Sequence, residues 1–303
     1  LSLHDALPIF QRFKEGFEED AEKILKYATY YTIAGERNSF SKTDHDATFM
    51  HMKYDYYNHT NVFKPGYNVQ MGSSEGYIRH VYVSSDANDV NTYIPFMEGY
   101  HMAYGEYPSK TAGDAGYGSH DNYSYCKEHE MDLYMKYSTL RKEQEKLNDK
   151  NRFKSFRMRA DENGRILCPE GKEFTLEKET IETKGRYKKK IKHYRNEHCV
   201  DCPFRSKCTK SKQGRTLQIN EQLIEYQKEV SRNLSSSEGK ELMKQRSIQA
   251  EGIFGQIKQD NKYARLWRRG APGVKMELLM VSMGHNLRRY HVRKQQKQRK
   301  KAA

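Results

Sequence analysis

Long apolar runs are missing from this chain of 303 residues, 36% of which are hydrophobic. None approaches the roughly 20 residues that cross a bilayer, which excludes a membrane-spanning role. Cysteine is scarce: five residues, an odd number and unevenly spread, argue against a secreted disulfide scaffold and for a cytoplasmic protein. Tryptophan occurs once, against 23 tyrosines. There is no internal repeat and no initiator methionine. The first nine residues, LSLHDALPI, lack the basic start and apolar stretch of a signal sequence, and they match a translation of a common sequencing-adapter end. Residues 1–9 are expected to be an artefact fused to a truncated reading frame, and they are set aside from fold reasoning.

Acidic residues are the minority, 40 against 54 Lys and Arg, which leaves a net charge of +14. Such an excess speaks about partners rather than fold. Nucleic acid is the usual counterpart, although ribosomal or membrane-surface association fits the charge as well. The length allows a sizeable core and about two domains.

Residues 10–34 read as a helix with Phe13, Phe17, Ile24 and Tyr27 among its apolar positions. A polar connector, GERNSFSKTDHDATF, follows. From Gly66 the period becomes strand-like, GYNVQMG and then GYIRHVYVS, which predicts an antiparallel hairpin across the Ser-Ser-Glu-Gly turn. Residues 88–104 read as helix, 108–113 lead into DAGYGS at a strand end, and 129–137 offer another short strand. The coarse order β-β-α-β-β predicts a mixed α/β core over 36–137. Residues 138–215 then form a charged insertion poor in large aliphatics. Its block KGRYKKKIK, six cations in nine positions, reads either as a solvated loop or as a phosphate contact. Helical patterning returns at 216–232 and 238–265, within a core segment taken as 216–290. In the closing helix, 273–290, Met276, Leu279, Met280, Met283 and Leu287 fall at helical spacing and are expected to be core. Residues 291–303 read as a basic, disordered tail.

Within KQRSIQAEGIFGQIKQDNKYARLWRR, residues 244–269, Ala250, Ile253, Phe254 and Ile257 make an amphipathic stripe. Glu251 lies on the neighbouring stripe among Lys244, Lys258, Lys262 and Arg265 and is expected to face inward. A lone carboxylate among cations suits a divalent metal held beside a polyanion. Asp114, in GDAGYGS, sits at a strand end before glycines that would let a ligand's backbone come close. Asp-Ala-Gly also makes ordinary turns, and Glu251 could equally pair with Lys258 or Lys262. Two-metal phosphoryl transfer needs a small carboxylate cluster holding ions about 4 Å apart.

SKTDHDATFM, KPGYNVQ, NDVNTYIPF, GDAGYGS, the cysteine-bearing insertion and R-x4-E-x2-F-x3-K follow one another over residues 36–290. In this order and spacing the chain resembles the DDE transposases of bacterial insertion sequences. The resemblance implies an α/β fold, an RNase H-like mixed sheet flanked by helices and interrupted by the cysteine-containing insertion. It implies that transposon-end DNA is cut and joined to target DNA with Mg²⁺ (or Mn²⁺). It assigns Asp114 and Glu251 as catalytic metal ligands and Arg246 and Lys258 as phosphate contacts. Lys262, Arg265, Trp267 and Arg268 extend the expected DNA-binding set, Trp267 by insertion beside DNA or else as core. A homodimer on paired ends and a bacterial, nucleoid-associated location follow from the same resemblance. Its first catalytic Asp belongs to an Asp-Gly-Thr strand that this chain lacks, in keeping with an N-terminally truncated fragment that is inactive alone. Asp44 and Asp46 are the nearby substitutes, and each reads as a turn or capping residue, Asp46 at a short helix over ATFM. A non-catalytic DNA-binding relic and an RNase H-like nuclease are the competing readings.

Cys168, Cys199, Cys202 and Cys208 resemble a loosely spaced zinc ribbon and could complete a structural Zn²⁺ site, with His193 and His198 as substitutes; reduced, unligated thiols are the alternative. Cys126 reads as a buried bystander. Tyr117, Tyr123 and Tyr125, near Asp114, are expected to pack rather than to stack on flipped bases.

Overall fold

The computed structural model describes residues 3–52, 62–260, 262–263 and 265–302. The chain is mixed α/β and divides into two compact units, one of Leu1–Met71, Tyr77–Ala87 and Gln256–Ala303, the other of Gly72–Gly76 and Asn88–Gly255.

The first unit opens with α1 (Leu3–Ala34), whose Phe13, Phe17, Ile24 and Tyr27 side chains are exposed. Strand β1 (Thr48–His51) pairs antiparallel with β2 (Phe63–Gly66) and alternates buried and exposed residues, the mark of a half-buried strand. The expected hairpin forms from β3 (Asn68–Ser74) and β4 (Tyr77–Ser84). Glu75 and Gly76 both have positive φ, 53° and 79°, which is the twist a two-residue hairpin turn requires.

The last helix of the chain, Ala271–Ala302, packs on β4. Its buried face is Val274, Leu278, Ser282 and His285, whereas Met276, Leu279, Met280, Met283 and Leu287 are exposed. The expected core stripe is therefore on the wrong side. Helical spacing tells which residues share a face, and a polar contact decides which face meets the strand. The Asn286 side chain accepts from the Ile78 amide and donates to the Ile78 carbonyl, both at 2.8 Å, satisfying β4 backbone groups. The basic tail is also helical rather than disordered, since RKQQKQRKKA contains strong helix formers and no breaker.

ATFM contributes β1 and not a short helix. Asp46 caps at a distance: its Oδ2 accepts from the Ala271 amide at 2.8 Å, at the first residue of that last helix. Asp44 Oδ1 accepts from the Gly270 amide at 3.1 Å and from the Tyr67 hydroxyl at 2.8 Å. Carboxylates there meet the unpaired amides and the positive end of the helix dipole. Arg37 braces the turn by donating to the carbonyls of Ile33, Ala34, His45 and Asp46.

In the second unit a 3₁₀ turn (Asp89–Asn91) precedes α2 (Tyr93–Tyr104), and β5 (Lys110–Thr111) pairs in parallel with β6 (Asp132–Leu133). Between these strands lies α3 (His120–Glu128), which the sequence pattern did not reveal because its buried face is mostly polar and aromatic. After α4 (Leu140–Gln144), the charged segment that follows holds an antiparallel sheet of β7 (Thr175–Glu182), β8 (Lys189–Asn196) and β9 (Arg215–Ile219), with one-turn helix α5 (Arg205–Cys208) before β9. Met158, Ile166, Phe174 and Leu217 form its small core. KGRYKKKIK folds as a turn and the start of β8, where Lys189, Lys190 and Lys192 pair with Asp121, Glu179 and Glu221 at 3.1, 2.8 and 2.7 Å. Helices α6 (Glu221–Ser235) and α7 (Ser237–Arg246) follow, while 216–219 are strand rather than helix. Among the described residues the strands form four small separate sheets; a continuous RNase H-like sheet is not among them. No helix among the described residues is long and apolar enough to cross a membrane.

Candidate functional site

Asp114 lies just beyond β5, as the pattern predicts, and caps the 3₁₀ turn Ala115–Tyr117, with Oδ1 accepting from the Ala115 amide at 2.7 Å. The glycines that follow allow close packing within the chain. A Cβ on Gly118 would lie 2.3 Å from the Lys136 carbonyl oxygen, and one on Gly116 would lie 3.0 Å from Asp89 Oδ2. Asp89 thus packs against the Asp114 turn, a neighbour that no spacing in the sequence announced.

Buried Asn122 locks this arrangement. Its amide nitrogen donates to the Val90 carbonyl at 2.9 Å and to the Tyr117 carbonyl at 2.7 Å, tying the two 3₁₀ segments to α3. Burial raises the Tyr117 hydroxyl pKa, the Asp89 and Asp114 carboxylates raise it further, and Arg246 works the other way. Tyr123 and Tyr125 are fully buried and bond the Met135 carbonyl and the Tyr107 hydroxyl, both at 3.0 Å, so the tyrosines do pack. Cys126 is buried against the Tyr93 hydroxyl, and burial pushes its thiol up to about 11.

Glu251 sits on an irregular helix. After α7, residues Ser247–Glu251 form a π turn, α8 (Gly252–Gly255) restores α geometry, and Gln256–Asp260 is π again. Inserted π turns are frequent at functional positions because they re-aim side chains without breaking the helix. Ile253 and Ile257 are the buried members of the apolar stripe. Glu251 itself is exposed, not inward-facing, and accepts from the Ser247 hydroxyl at 3.0 Å. Arg246, at the end of α7, places Nη2 3.1 Å from Asp114 Oδ2. That ion pair joins the Asp114 turn to the helix that carries Glu251.

The remaining basic residues belong to the first unit. Lys258 is exposed on the second π turn. Lys262, exposed, takes a left-handed φ of 53° where the chain leaves the helix. Past it the backbone wraps Glu277 of the last helix, α9 (Ala271–Ala302): the carboxylate accepts from the Tyr263 hydroxyl and from the Trp267 and Arg268 amides, the latter two at 2.9 and 2.8 Å. Burial opposes the Glu277 charge, but these donors and the Arg268 guanidinium outweigh it and hold the pKa below its ordinary value. The loop so held leaves Trp267 77% exposed, which rules out core, with the Arg265 guanidinium 5.9 Å from its ring centre. Arg268 is exposed beside it.

Cys168, Cys199, Cys202, Cys208 and His198 line one small pocket in the second unit, and all five cysteines are free thiols. His193 instead bonds Thr180 at 2.8 Å, within β7 and β8. Burial raises the Cys208 thiol pKa, Arg215 lowers it, and the thiols of Cys199, Cys168 and Cys202 raise it, so the four groups feel one another. Among the described residues, no three His, Cys, Asp or Glu side chains converge closely enough as placed to bind a metal ion.

No curated protein and no solved structure matches the chain. Residues 167–291, roughly two-fifths of its length, match the family described as "Transposase DDE domain". That stretch contains Glu251, Arg246 and the pocket cysteines but not Asp114. Over residues 167–291 the chain is similar to the DDE transposases.

Proposed function

We propose that this chain carries two carboxylates, Asp114 and Glu251, of a site that cleaves and joins transposon-end DNA by phosphoryl transfer. The Asp114–Arg246 ion pair at 3.1 Å supports the reading, since it ties the turn of one carboxylate to the helix of the other. Both carboxylates supply the hard oxygens that Mg²⁺ or Mn²⁺ prefers. They are short of a full ligand set, because no three His, Cys, Asp or Glu side chains converge among the described residues. Asp44 and Asp46 accept hydrogen bonds from the start of α9, and Asp44 also from Tyr67, which weighs against either one as a substitute. Lys258, Lys262, Arg265, Trp267 and Arg268 contact DNA, and two copies meet on paired ends. A DNA-binding protein without chemistry is the second reading, favoured by those same hydrogen bonds of Asp44 and Asp46.

The test is a nicking assay with Mg²⁺ on transposon-end DNA, run beside a binding titration. Binding without turnover is expected of this chain. Turnover abolished by Glu251→Gln would instead show that the chain supplies a complete site, and absence of binding would defeat the reading altogether.

A further inference from the structure

We propose that Cys168, Cys199, Cys202 and Cys208 together bind one thiophilic divalent cation, zinc foremost, which fastens two separate parts of the charged segment. Cys168 comes from a small hairpin, marked by the bridges Ala160–Ile166 and Leu167–Glu173, and the other three come from the connection between β8 and β9. All four line the same pocket and none is in a disulfide.

Tight turns hold each cysteine. The Cys168 amide donates to the Lys172 carbonyl at 2.8 Å while its own carbonyl accepts from Gly171 at 2.9 Å, a turn that needs the left-handed φ of 74° at Gly171. The Cys202 amide approaches the Cys199 carbonyl at 3.4 Å, and the Cys208 amide donates to Phe204 at 3.0 Å. Backbone turns of this kind fix Cα positions and leave only rotation about the Cα–Cβ bond. As placed the sulfurs do not converge; zinc binding requires that rotation to turn them toward a common centre, at zinc–sulfur bonds of about 2.3 Å.

Charge and packing agree. Zinc with four thiolates carries a net double negative charge, and Arg205 and Arg215 line the pocket. Arg215 donates from Nη1 to the Cys208 carbonyl, while its buried Nε has no acceptor, a donor suited to a ligating sulfur. The neighbouring core has only four fully packed hydrophobics, with Cys168 and Cys208 against it. So small a core holds a fold weakly, and ligation contributes folding free energy directly. The centre is independent of strand cleavage, so either idea stands if the other fails.

Zinc is measured by elemental analysis of the full chain purified under reducing conditions, and Co²⁺ is titrated into the demetallated protein. About one metal per chain is expected, with the thiolate charge-transfer and tetrahedral absorption of cobalt. Cys199→Ser with Cys202→Ser should remove both signals, while Cys126→Ser and His198→Ala should keep them. Should the double variant fail to fold, the cobalt spectrum of the unaltered chain decides alone. Less than about half an equivalent of zinc together with no cobalt–thiolate absorption overturns the proposal, as does metal retained by the double variant or lost by His198→Ala.

Discussion

Arg246 reaches Asp114 at 3.1 Å across 132 positions of sequence, from the last turn of a helix to the cap of a 3₁₀ turn. Its geometry is that of a hydrogen-bonded ion pair, but the Asp114 side chain is 59% exposed. Solvent screening limits such pairs to about 0–1 kcal/mol. Arg246→Ala should therefore lower stability by less than about 1 kcal/mol in urea unfolding. A larger loss would mean that the pair organises the unit rather than only aligning the two carboxylate-bearing segments.

Asn122 carries more. Replacing it by Ala removes two short bonds and leaves the Val90 and Tyr117 carbonyls short of a donor. At about 1–2 kcal/mol for each buried group, Asn122→Ala should cost about 2–4 kcal/mol, read as a shift of the urea midpoint with an unchanged slope. A loss near zero would remove Asn122 as the clamp of the Asp114 turn.

The proposed DNA contact by the loop after the second π turn predicts a salt signature. Replacing Lys262, Arg265 and Arg268 together by Ala should reduce the slope of log affinity against log salt by about 2.7, at about 0.9 per phosphate neutralised. Trp267→Ala should leave that slope alone and weaken binding by about 1–3 kcal/mol if the ring stacks on a base. An unchanged slope in the triple variant would place the phosphate contacts elsewhere.

The same loop should respond to acid. Glu277 titrates below its ordinary value of 4.5, so its ionised form is the one the folded loop favours. A depressed carboxyl contributes stability that is present above the unfolded value and is lost as pH falls through the folded value. The loop should loosen on acidification from about pH 4.5 downward, seen in the emission of Trp267, the single tryptophan. Glu277→Gln should abolish that transition; an identical acid response in the variant would assign the change to other carboxylates.

Much of the local structure was legible in residue order. The Glu75–Gly76 turn, the helix of α1, the strand end before Asp114 and the stripe of Ile253 and Ile257 all follow from short-range periodicity and turn chemistry, which act within a few residues. Helix α3 escaped because its inward residues include Asn122, Ser124 and His120, which no hydrophobic pattern marks. The strands β7 and β8 escaped because their charges are answered by ion pairs from elsewhere, and composition does not encode the partner.

By itself the sequence determined which residues are candidates for chemistry, two carboxylates amid cations and four clustered cysteines, and the periods that make helices and strands. Only the tertiary structure decided which faces are used. Leu278 is buried and Leu279 exposed because Asn286 turns its own side of the helix toward Ile78. Asp44 and Asp46 are spent on the start of that helix, more than 200 positions away, because unpaired amides there attract carboxylates. Glu251 points to solvent, and Asp114 meets Arg246. Such contacts depend on which surfaces meet, and that is settled by packing over long sequence separations rather than by any local run of residues.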